Sequence, residues 1–68
     1  MDSMTVDECV EKYGSVMSAV KAKIQELENI HGQSSNRGGG LNYDFYEFKD
    51  GYLVKISCSY GVLTIEEA

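Results

Sequence analysis

The chain has no tryptophan, no proline, a single histidine and two cysteines in 68 residues. Two of the usual staples of a small domain are weakened by that poverty. Two cysteines close at most one disulfide, and one histidine without a Cys-x-x-Cys pair leaves zinc no ligand set. Basic side chains are also scarce, six against eleven carboxylates, for a net charge of −5. Such a surface is repelled by phosphate backbones and by anionic lipid, so no direct binding to nucleic acid or membrane is expected. Its natural partners are basic proteins. No stretch approaches the ~20 apolar residues of a membrane span. Met1-Asp2-Ser3-Met4-Thr5 lacks the basic and apolar regions of a signal peptide. The expectation is a soluble, cytoplasmic chain whose Cys9 and Cys58 stay reduced.

What is present is one domain, and a small one. A chain of this length buries only about 60% of the surface its unfolded form exposes. Residues 5–31 read as one long amphipathic helix. Its apolar residues, Val6, Val10, Tyr13, Met17, Val20, Ile24 and Leu27, alternate between spacings of four and three, and Cys9, Val16 and Ile30 widen the stripe. Thr5 and Glu8 have the spacing of a capping box, and Gly32 after His31 marks the stop. Gly14 is the one weak point, but the rhythm passes through it without a change of phase. Ser15, Ser18, Ala19 and Ala22 lie off the stripe as small residues, which leaves room for close approach of another helix.

Residues 32–42 are polar and glycine-rich and read as a loop. From Tyr43 the period becomes two, giving strands at 43–48, 52–58 and 62–66 with turns at Lys49-Asp50-Gly51 and Tyr60-Gly61. Pairing Phe48 with Tyr52 sets Tyr46 opposite Val54, and pairing Cys58 with Leu63 sets Ile56 opposite Ile65 and Lys55 opposite Glu66. That register gathers Phe48, Tyr52, Val54, Ile56, Cys58, Leu63 and Ile65 on one face, which the helix must cover. The fold class expected is α+β, one helix on a three-stranded antiparallel meander, in two layers. Strand two would run parallel to the helix, with Cys58 near its C-terminal half and far from Cys9. A helix of this length would overhang so small a sheet, which favours a homodimer.

No catalytic, metal or cofactor motif rises from the sequence. His31 reads as a helix C-terminal cap, since no carboxylate or nucleophile stands beside it by pattern. Glu28 and His31 have the Glu-x-x-His spacing of di-metal bundles, but those sites draw further ligands from other helices. Arg37-Gly38-Gly39-Gly40 offers backbone N–H groups and a guanidinium to an anion, yet it follows a helix and opens a strand, the reverse of known phosphate loops. The face of the sheet away from the helix is less ordinary. It collects Tyr43, Phe45 and Leu53, flanked by Glu47 and Glu66, an aromatic patch rimmed by charge.

These features point to a non-enzymatic protein-binding module acting on a basic partner, in concrete form an inhibitor that occludes a nucleic-acid channel. In size, charge and layout the chain resembles the small acidic inhibitors of phages and mobile elements, anti-CRISPR and other anti-defence proteins among them. The resemblance is one of class and rests on no residue motif. An immunity protein or antitoxin has the same outline. The alternatives are an anion or small-ligand binder at a homodimer interface through Arg37 and its glycines, or a structural subunit of a larger assembly.

Overall fold

Thr5 accepts the Glu8 N–H at 3.1 Å and donates its own N–H to Glu8 Oε1 at 3.0 Å, a complete capping box. From this start the computed structural model, which describes residues 2–68, builds α1 over Val6–Tyr13 and α2 over Val16–His31. The single helix expected over 5–31 is therefore broken, and Gly14 breaks it. Gly14 sits at φ 92°, and its N–H closes α1 on the Val10 carbonyl at 2.9 Å. Ser15 is extended and caps α2 by accepting the Ser18 N–H at 3.0 Å. A left-handed glycine followed by a serine N-cap is a stop and a new start. The break turns the stripe. Cys9 and Ala19 become fully buried, whereas Val10 and Met17, apolar-face residues by spacing, are 52% and 67% exposed.

Among the described residues the sheet has five strands, all antiparallel: β1 Asp2–Thr5, β2 Ser34–Gly39, β3 Tyr43–Phe48, β4 Leu53–Ser59 and β5 Val62–Glu67, in the order β1-β5-β4-β3-β2. The α+β class holds, and the expected meander forms the centre of this sheet. Tyr46 lies opposite Val54, Ile56 opposite Ile65, Cys58 opposite Leu63 and Lys55 opposite Glu66, the register read from the alternation. Two edge strands correct the three-stranded expectation. Asp2–Thr5 pairs with β5, and Ser34–Gly39 pairs with β3 where a loop was expected.

With 34–39 a strand, β3, β4 and β5 each run opposite to the expected direction. Tyr52 and Val54 lie by Leu27 and Ile30, and Cys58 lies by Val16 and Val20, so β4 runs antiparallel to α2. Cys58 is thus near the N-terminal half of α2, not its C-terminal half, and both cysteines are free thiols. The core joins Phe48, Val54, Ile56, Leu63 and Ile65 to Cys9 and Ala19, with Val16, Val20, Ile24 and Leu27 packed against them. No helix of the described residues is long and apolar enough to cross a membrane.

Candidate functional site

Alternation along β3 and β4 turns Phe48, Val54 and Ile56 to the helices and leaves Tyr43, Phe45, Glu47, Leu53 and Lys55 on the opposite face. The sheet brings the predicted patch together. The rings of Tyr43 and Phe45 meet edge to face at 5.7 Å, and Leu53 is diagonal to Phe45 across the strand pair. Phe45 and Leu53 are half-buried, and Tyr43 is 37% exposed. Charge surrounds the patch in balanced pairs. Arg37 Nε lies 3.3 Å from Glu47 Oε1, the Lys55 ammonium stands 5.0 Å from the centroid of the Tyr43 ring, and Glu66 is opposite Lys55. The face offers apolar area with a neutral rim.

The glycine segment has a different task from the one its composition suggests. Arg37 is the extra residue of a bulge between Asn36 and Gly38, and its guanidinium is engaged with Glu47. The N–H of Gly38 donates to Asn36 Oδ1 at 2.7 Å, and that of Gly40 to the Tyr43 carbonyl at 3.0 Å. These are the groups an anion cradle would need. A side chain at Gly39 would overlap the backbone of Tyr43 and Asp44, and one at Gly40 would strike the Tyr43 ring. Arg37, Gly38, Gly39 and Gly40 therefore form a close-fitting edge strand that seats Tyr43, and the anion-loop geometry is not present.

His31 also departs from expectation. Its Nδ1 is 2.8 Å from Asp50 Oδ2, and its ring stacks on Tyr52 at 3.9 Å with planes 3° apart. It ties the end of α2 to the β3–β4 turn instead of capping its own helix. Gly32 is extended in ψ rather than left-handed helical. Asp50 is held below the usual carboxylate range by the Tyr52 N–H, then by His31. The carboxylate that sequence reasoning did not find beside His31 is thus Asp50, nineteen residues away along the chain. Glu28 accepts both the N–H and the hydroxyl of Ser34 at 2.8 Å, and those bonds, the backbone one first, lower its pKa. Glu28 so anchors the start of β2 and His31 the β3–β4 turn, and no group of three metal-ligating side chains gathers among the described residues.

Two hollows beside α2 were not legible in the sequence. One, of about 420 Å³, opens between the start of α2 and β3–β4, with the exposed Met17 and Leu41 at its edge. The other, of about 300 Å³, lies between the last turns of α2 and the ends of β4 and β5. The only signal for either was the width of the sheet, hidden by the two unrecognised edge strands. Compared with known proteins, the chain matches no family model, no curated protein and no solved structure.

Proposed function

We propose that the chain is a non-enzymatic binding module that occupies the surface of a basic partner protein. In its concrete form it is a phage or mobile-element inhibitor, anti-CRISPR-like in class, that covers a nucleic-acid channel of that partner. One observation carries the reading: a contiguous Tyr43–Phe45–Leu53 patch with a charge-balanced rim, on the helix-free face of a chain of net charge −5. The patch supplies desolvated contact area, and the net charge steers a basic partner toward it. A reducing cytoplasm, where Cys9 and Cys58 persist as thiols, belongs to the same proposal. A homodimer loses the support it drew from an overlong helix, because that helix is broken at Gly14. The anion-binding alternative has no support left in the bonded groups of residues 36–40.

The test compares wild type with Phe45→Ala as tagged baits in extract of the native host. The expected prey is basic, and the wild-type chain displaces nucleic acid from it. Phe45→Ala is expected to weaken its binding by about 2 kcal/mol, near thirtyfold, with little change in melting temperature. If Phe45→Ala unfolds the chain, the patch belongs to the fold and the reading fails. Equal binding by the two baits would remove the patch from the interface.

A further inference from the structure

The smaller hollow is the place where apolar surface and unbalanced charge coincide. Its floor is Leu27, Tyr52, Val54 and Ile65, with the exposed Ile30 at its edge, and its volume is about 300 Å³. Carboxylates of Asp2, Glu26 and Glu67 stand around it with a single cation, Lys23, while Glu66 turns to the other face of the sheet opposite Lys55. Lys23 Nζ lies 3.3 Å from Asp2 and 3.8 Å from Glu26. Burial acts to lower the Lys23 pKa, but the hydrogen bond and charge of Asp2, then Glu26, outweigh it and hold the ammonium above its usual value. Glu67 forms no ion pair with a described residue. The rim therefore already holds one ammonium, with negative charge to spare.

We infer that this hollow receives one basic side chain of a partner protein, an arginine or a lysine. The methylene stem lies on the apolar floor, and the charged head sits between Glu26 and Glu67. The inference rests on the basic-partner reading above and names a contact within it. Size sets the first limit. About 300 Å³ is the low end for ligand sites, and a helix ~10–12 Å across cannot enter. Chemistry sets the others. An anion is repelled by the rim, a metal ion finds no ligand on the floor, and a purely apolar group would strip water from carboxylates without replacing it. A side chain with an apolar stem and a cationic head satisfies both parts. Arginine does so best, because its planar fork can bond two carboxylate oxygens at once.

The probe is a short oligoarginine peptide, with its citrulline counterpart as the neutral isostere, titrated at low salt into isotope-labelled chain and followed by NMR. Amide shifts are expected to concentrate at Leu27, Ile30, Tyr52, Val54 and Ile65, and to be absent with citrulline. Glu26→Gln combined with Glu67→Gln is expected to weaken binding about tenfold, the loss of one charge-assisted contact. Asp7→Asn combined with Glu11→Gln removes the same charge from α1, away from the hollow, and is expected to cost far less. If the peptide binds but the shifts fall elsewhere, or the two double variants cost the same, the hollow is not the receptor while the basic-partner reading stands. No binding at low salt overturns both. Shifts at the hollow produced by concentrating the chain alone would make a second copy the occupant and end the proposal.

Discussion

Tyr60 is the only described non-glycine residue with positive φ, at 51°, and its ring is wholly exposed. With Gly61 at φ 73° it forms the two-residue turn between β4 and β5, a geometry that favours asparagine before glycine. The turn was legible from Tyr60-Gly61; the left-handed tyrosine was not, because nothing in a tyrosine side chain signals that conformation. Tyr60→Asn is expected to stabilise the chain by about 1 kcal/mol, since asparagine enters this region at lower cost. Thermal melts would show a rise of ~4–8 °C. A fall would mean that the Tyr60 ring makes a stabilising contact. Carboxylates give the second residue-level expectation. Glu8, Glu28 and Asp50 are each held below their ordinary values by hydrogen bonds, chiefly from the N–H groups of Thr5, Ser34 and Tyr52. The unfolded chain therefore binds protons that the folded chain refuses, and stability rises with pH through this window. The contribution is whole above the ordinary values, 4.5 for the glutamates and 3.8 for Asp50, and is lost as pH falls through them to the lowered folded values. Urea midpoints across that range should fall less steeply for Glu28→Gln than for wild type. Identical slopes would remove Glu28 from the linkage.

Among the elements, the break at Gly14 makes opposite predictions for the two ways of reading the helix. Were 5–31 one helix, Gly14→Ala would stabilise it by ~1 kcal/mol through helix propensity. At φ 92° alanine is strained instead, and the substitution is expected to destabilise by about 1 kcal/mol, although nothing lies within 4 Å of the added methyl. The sign of the change in a denaturant melt decides. Both capping signals were present in the sequence, Tyr13-Gly14-Ser15, but the four-three rhythm of larger side chains outweighed them. The central strands were legible because Val54, Ile56, Leu63 and Ile65 alternate with polar residues, and a slip would misplace all of them. The edge strands were not. Asp2–Thr5 and Ser34–Gly39 bury no residue fully and show no apolar alternation, so only pairing with β5 and β3 makes them strands. The same blindness hid the reversal of β4 and the meeting of His31 with Asp50. The patch at Tyr43, Phe45 and Leu53 survived, because the local register that places it does not depend on the edges.

For the molecule as a whole, the extra strands change what one helix can cover. Five strands ~4.8 Å apart make a sheet about 20 Å wide, while a helix with its side chains spans ~10–12 Å. The hollows of about 300 and 420 Å³ on the two sides of α2 arise from that mismatch in width. In length there is no longer a mismatch. The 16 residues of α2 extend ~24 Å, close to the ~20 Å of six- or seven-residue strands. Without an overhanging helix the chain has no end that a second copy must cover, and a single-chain mass near 7.5 kDa is expected by light scattering through a micromolar dilution series. The exposed Met17 and Leu41 beside the larger hollow offer one route to self-association. Met17→Ser and Leu41→Ser separate the cases. Both should leave mass and melting temperature almost unchanged, because each side chain faces solvent. A two-chain mass in the wild type that falls to one chain in either variant would restore the homodimer, built through that hollow and not through the length of the helix.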